Sequence, residues 1–290
     1  MYLASDFNEA GLFSRAASWI DAEPIDPSGR PRTMSLLLHR ASAAFLYLRR
    51  MEILSLACKE RFERVKQRLA LGTTRISFWS PELAEMLSDL SPFFSAMVIL
   101  QNSLIMAIGA QAGRTGTLPN SLHDLIKKST HYSWLDNRVL RVLIDYWEQA
   151  GKRLRDYRDV DQHFHILTQH SFLDLTVEPR VRVILPDNPE SKSPRIFTFA
   201  KGIDALEYCP AEFRRLHETV ETVAEVFGYT PSKLQQPLNL HEPYQVAPTD
   251  QGRTVALVFQ TFGQYEGIEL GQAAGESTMF VRQLAKNADS

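Results

Sequence analysis

The most apolar stretch of the chain is FFSAMVILQNSLIMAIGA, Phe93 to Ala110, broken at its centre by Gln101, Asn102 and Ser103. A segment this apolar has to be enclosed, because its surface gains most on leaving water. Its apolar residues spread around a helix and leave no continuous polar face, which predicts the central helix of a bundle. The polar triplet at its midpoint argues against a membrane span, which needs about 20 predominantly apolar residues. A buried core helix and no membrane association are therefore expected.

Helical periodicity dominates the first part of the chain. Between Thr33 and Leu71, apolar residues recur at Leu36, Leu37, Phe45, Leu48, Ile53, Leu54 and Leu56, and Gly72 offers a C-terminal stop. SPELAEMLSDL opens a second helix, with Ser80 as N-cap and Pro81 at its first position. Ser91–Pro92 then marks the start of the central helix. LPNSLHDLIKKS reads as a short helix capped by Asn120 or Ser121, with Asp124 and Lys127/Lys128 suited to its dipole. A long helix starts at Asp136, buries Val139, Leu140, Leu143, Ile144 and Trp147, and continues past Gly151 through Leu154.

The texture changes near residue 170. LTVEPRVRVILP alternates in the manner of a strand, and RIFTFAKG is expected to pair with it across the turn DNPESKSP. CPAEFRRLHETVETVAEVFG is an amphipathic helix burying Phe213, Leu216, Val220, Val223 and Phe227, with Gly228 at its end. SKLQQPLNLHEPYQVAPTD reads as loop and GRTVALVFQTF as a strand, while the last twenty residues carry no clear pattern and their tip is expected to fray. The fold class expected is α-rich α+β: a helical bundle over residues 1–170, then a small β-hairpin, helix and C-terminal strand region over 171–290, packed on the bundle or separate from it.

Composition removes several function classes. The 290 residues carry a net charge of −2, so no global basic field holds nucleic acid, and any such contact must be local. The two cysteines, Cys58 and Cys209, form no disulfide framework or zinc motif and fit a reducing compartment. MYLASDFNEAGLFSR carries acids and lacks the basic and apolar regions of a secretory signal, so a cytoplasmic location is expected.

Chemistry concentrates in RLRDYRDVDQHFHILTQH, Arg153 to His170, which holds three of the eight histidines. An imidazole with a pKa near neutrality can move a proton at an attacking or leaving oxygen. A guanidinium can stabilise the negative charge gathering on phosphorus. Arg158 and His163 would supply these two groups, and Asp159 would orient one of them.

RDVDQH, Arg158 to His163, resembles the Arg-polar-x-x-x-His motif of HEPN domains, and the helix order from about Thr33 to His170 is similar too. The resemblance makes the bundle HEPN-like. It implies a homodimer with motifs facing across a cleft and, in catalytic members, metal-independent endoribonuclease activity. Arg158 would then stabilise phosphate charge, His163 would be the general acid or base, and Asp159 would take the polar second position. Arg155, Tyr157 and His165, in the same segment, are the expected substrate contacts, with RNA as the partner and no cofactor or metal. A protein partner is left open.

Blander readings stand beside this one. Arg155 with Asp159 and Arg158 with Asp161 have the spacing of ordinary helical ion pairs, and a histidine near a helix C-terminus is favoured by the dipole alone. The chain would then be a non-catalytic helical dimer, an interaction or regulatory module. Arg32 and His39, with six residues between them, show that the pairing also recurs elsewhere. His163 and His165, if on a strand, could instead share a metal with Asp161 or Asp174. GRTGT at Gly113–Thr117 lacks the ending of a phosphate loop. The basic stripe Cys58–Arg68 reads as a solvated helix face, and Phe78, Trp79 and the HYSW segment as core or interface packing, in preference to RNA contacts.

Overall fold

The computed structural model describes residues 13–22, 33–64, 72–113, 118–163, 167 and 170–231, together with the backbone of four later strands. The chain divides into two compact units, Phe13–Ser232, and Met1–Leu12 with Lys233–Ser290. The first contains the described helices and a four-stranded sheet, an α-rich α+β fold.

Helices α1 (Ser14–Ala22) and α2 (Thr33–Glu63) precede a two-residue strand, β1 (Arg75–Ile76), and helix α3 (Pro81–Gln111). Ser80 caps α3 by accepting the Leu83 N–H at 3.1 Å, with Pro81 in the first turn, as the sequence predicts. The two helices expected from Pro81 and Pro92 are one. Pro92 removes a single donor, but Met86, Leu90, Phe93, Phe94 and Met97 on both sides of it are all buried, and the continuous core carries the helix through.

The polar triplet within α3 gives each neighbour its own attachment. Gln101 Nε2 donates to the Tyr146 hydroxyl at 2.9 Å and lies 3.5 Å from the Gly151 carbonyl. Asn102 Oδ1 accepts the Leu122 N–H at 3.1 Å. The Ser103 hydroxyl accepts from Arg40 of α2 and donates to the Ile99 carbonyl. Polar atoms in so apolar a helix are tolerated because each is hydrogen-bonded. The helix is long and apolar enough to cross a membrane, and 67% of its most apolar stretch is buried inside the protein.

Ser121 caps α4 (Leu122–Lys127) through the Asp124 N–H, and Asp136 caps α5 (Asn137–Tyr146) through the Arg138 N–H. A π-helical turn, Trp147–Gly151, joins α5 to α6 (Lys152–His163). Gly151 gives the rings room there, since a Cβ at this position would lie 3.0 Å from the Tyr146 ring and 3.1 Å from that of Trp147. The extra residue of the π turn rephases α6, so that Leu154, Tyr157 and Val160 continue the buried face.

Strands β2 (His170–Asp174), β3 (Arg180–Leu185) and β4 (Ile203–Asp204) complete an antiparallel sheet of order β1-β2-β3-β4. RIFTFAKG does not form the expected strand. Its polar groups are engaged otherwise: Asn188 bonds the Ile196 carbonyl and the Thr198 N–H, and the Asp187 carboxylate accepts the Lys201 N–H. Asp204, just after this segment, accepts the Val183 N–H, pairs with Arg182 at 2.8 Å and caps helix α7 (Ala205–Val226). Helix α7 thus starts before the expected Cys209–Pro210 and carries Pro210 inside it. Phe213, Leu216, Val220 and Val223 are buried as predicted, and Gly228, at φ 88°, ends the helical run.

Helix α1 docks on α7 through its own N-terminus. The Glu221 carboxylate accepts the Arg15 and Ala16 N–H groups and the Ser14 hydroxyl, and His217 Nδ1 accepts the Phe13 N–H at 3.1 Å. Trp19 packs edge-on against Phe227 and stacks on Tyr229.

In the second unit, β5 (Tyr244–Pro248) pairs with β6 (Thr254–Phe259), and β7 (Ile268–Gln272) with β8 (Met279–Gln283), all antiparallel. The strand expected in GRTVALVFQTF is β6. The segment expected to be loop contains β5, the C-terminal residues read as without clear pattern contain β8, and β7 ends at their start.

Candidate functional site on helix α6

Helix α6 is polar apart from Leu154, Tyr157 and Val160, spaced three apart on one buried face. Tyr157 is fully buried between the rings of Phe94 and Tyr208, and its hydroxyl donates to the Pro186 carbonyl at 2.7 Å. Burial also pushes its hydroxyl pKa well up. The expectation that Tyr157 contacts substrate is corrected by this placement: its ring and hydroxyl are both engaged in the core. One turn earlier, Arg153 Nη2 donates to the Asp187 carbonyl, also at 2.7 Å. Together these bonds hold the segment from Pro186 to Gly202 against α6.

That segment delivers Lys192. Its backbone sits in the left-handed region, φ 53° and ψ 15°, after the 3₁₀ turn Pro189–Ser191. Lys192 Nζ reaches Asp159 Oδ2 at 3.8 Å. Arg155 Nε lies 3.7 Å from the same oxygen, and Arg158 Nε lies 3.1 Å from Oδ1, as a charge contact without an aligned hydrogen bond. Three cations therefore surround one carboxylate whose side chain is 11% exposed. The cations themselves reach solvent, at 32%, 25% and 42% for Arg155, Arg158 and Lys192. Such a group can receive an anion from solvent while Asp159 fixes its spacing.

Of the two ion pairs that the helical spacing allows, Arg155–Asp159 forms. Arg158 turns to its neighbour Asp159 in place of Asp161. Arg158 Nη1 also donates to Gln162 Oε1 at 3.2 Å, and Gln162 Nε2 donates to the Ser95 hydroxyl of α3 at 2.8 Å. His163 is exposed at the last position of α6. Five residues at the helical period turn its side-chain direction about 140° from that of Arg158 around the helix axis. The two do not share a face of α6. His165 lies outside the described residues.

Two features near this site carry no motif in the sequence. Lys192 stands in what reads as a plain turn. His123, on α4, packs against Trp147, and its pKa is lowered by burial and by the charges of Arg155 and Lys127. Asp156 is pushed the other way, up, by burial, against the pull of Lys152 and Arg155, and it also feels Asp159 and Glu190. Trp79, expected in core or interface packing, is 78% exposed and so is not in the core. Among the described residues no three His, Cys, Asp or Glu side chains converge as a metal site, and Asp174 of the metal alternative bonds Thr176. No family model, curated protein or solved structure matches the chain.

Proposed function

We propose that the protein is a HEPN-like, RNA-binding homodimer that cleaves phosphodiesters without metal. The observation that carries this reading is the gathering of Arg155, Arg158 and Lys192 around Asp159, with Arg158 and Asp159 in the segment that resembles the motif. In this reading the cations hold the non-bridging phosphate oxygens, and His163 moves a proton at the attacking or leaving oxygen. Because Arg158 and His163 point to different sides of α6, a complete site takes its arginine from one subunit and its histidine from the other. Leu46, Ile53 and Leu56 leave apolar surface exposed on α2, of the kind that pairs subunits.

A second reading is favoured by the bonds that Arg158 already makes to Asp159 and Gln162 on its own helix. These would suit a non-catalytic interaction module. Subunit mixing separates the two. Arg158→Ala and His163→Ala are each expected to be inactive, and after subunit exchange an equal mixture should recover on the order of a quarter of wild-type cleavage, since half the dimers then hold one intact shared site. Recovery of nothing from two variants shown to exchange would refute the shared site.

A further inference from the structure

We propose that two copies of the chain pair through the outer face of α2, antiparallel, so that Ile53 of each copy meets Leu56 of the other and Arg49 meets Glu60. This rests on reading the protein as a homodimer, and it names the surface and the register of the pair. Helix α2 carries two seams. Leu37, Ala41, Ala44, Met51 and Cys58 are buried against the bundle in steps of three, four or seven residues, which is a heptad pattern. A second seam of the same pattern runs along the other side of the helix, where His39, Leu46, Arg49, Ile53, Leu56 and Glu60 are all exposed. Each lies five residues beyond a position of the first seam, which turns it about 140° around the helix axis. The outer face of a bundle helix is ordinarily polar. Here Leu46, Ile53 and Leu56 are 47%, 60% and 56% exposed, in one line at seam spacing, and that marks a contact surface in place of scattered apolar residues.

The charges on this face select a second copy as the occupant. Along the seam and its edge they run Arg49, Glu52, Lys59, Glu60, while Arg50 and Arg61 beside them are tied to Asp89 and Glu82 of α3. Turned end for end by a two-fold axis level with the midpoint of Ile53 and Leu56, this order becomes its own complement. Arg49 comes opposite Glu60 and Glu52 opposite Lys59, twice each, around a centre of two Ile53–Leu56 contacts. Leu46 comes level with Glu63 at each end, at the rim of the contact. One heptad away, the register that sets Leu46 against Leu56 brings the two Glu52 side chains together across the axis. Parallel pairing sets Arg49 on Arg49 and Glu60 on Glu60. Like charges in contact disfavour both alternatives. Arg49 and Glu52 bind each other at 2.9 Å on exposed surface, so neither has to leave a buried partner to face a second copy.

The test is sedimentation equilibrium of the full chain, with wild type expected at twice its 33.0 kDa mass. Ile53→Glu puts a charge at the centre of the pair and is expected to weaken dimerisation by about 10-fold or more. Circular dichroism checks that the variant is folded. Disulfide formation reads the register. Arg49→Cys/Glu60→Cys should give a covalent dimer on mild oxidation. Arg49→Cys alone should not, because its two copies then lie about 16 Å apart along the pair, beyond the reach of a disulfide. Cys58 and Cys209 are buried and leave this readout clear. A covalent dimer from Arg49→Cys alone, or none from the double variant, would overturn the antiparallel pairing. Dimerisation as tight in Ile53→Glu as in wild type would overturn the role of α2 and leave a homodimer joined by another face. A monomeric wild type at every concentration would remove the homodimer reading and this inference together.

Discussion

Tyr157 of α6 donates its hydroxyl to the carbonyl of Pro186 at 2.7 Å, and by that bond a helix of mostly charged residues holds the segment that brings Lys192 to Asp159. Tyr157→Phe keeps the ring among Phe94 and Tyr208 and leaves a buried carbonyl without its donor. It should cost about 1–3 kcal/mol in urea unfolding. RNA affinity should fall as well, since the cation is held less firmly. Unchanged stability would mean that the Pro186 carbonyl finds water.

Asp159 both organises and neutralises the cations around it. Asp159→Asn is expected to destabilise the fold by about 1–3 kcal/mol, by leaving Arg158 and Arg155 facing a neutral amide. The same change removes a negative charge from the anion site, so RNA should bind a few-fold more tightly while cleavage falls. If the cluster is only a structural ion-pair network, affinity for RNA will not rise.

His217 links stability to pH. Burial lowers its pKa below the ordinary 6.5, against the opposite pull of Glu221 and Glu218, and its Nδ1 accepts the Phe13 N–H. Below the ordinary value the unfolded chain binds a proton that the folded chain resists, so this contribution is full above about pH 6.5 and is lost as pH falls from there toward the folded pKa. Urea midpoints at about pH 5 and about pH 8 should therefore differ more for wild type than for His217→Gln. Equal pH dependence in the two proteins would show that α1 docking does not rely on neutral His217.

Gly151 allows the π turn to close between two large rings. Tyr146 is tied to Gln101, and Trp147 packs on His123, so neither ring can give way freely to a new Cβ. Gly151→Ala should destabilise the protein by about 1–3 kcal/mol, against the gain that this exchange brings to an ordinary helix. A rise in thermal midpoint would mean that the rings move aside.

Local chemistry was legible in the sequence, and long-range chemistry was not. Ser80 caps its helix as read, Ser121 is the cap of the two read there, and Asp136, read as a helix start, is the cap, because a cap is decided by a side chain and a backbone N–H two or three residues away. Pro92 and Pro210 misled for the same local reason. Each resembles a first-turn proline, and only the buried residues on both sides keep the helix continuous. The polar triplet of α3 was read as a break in a span, whereas its three attachments depend on elements 20 to 63 residues away. At the candidate site, Arg155, Arg158 and Asp159 were visible in one stretch. Lys192 and Ser95 were not, since only the folded chain brings them to α6.

The most direct measurement is cleavage of a labelled single-stranded RNA with EDTA present, comparing wild type, Arg158→Ala and His163→Ala. His163 is exposed at the end of its helix, and thermal midpoints measured alongside check that each variant is folded. The account predicts cleavage by wild type and a loss of about 10²–10⁴-fold in His163→Ala, the range expected for removal of a general acid or base. Equal cleavage by wild type and His163→Ala, or none by any of the three proteins, would contradict it.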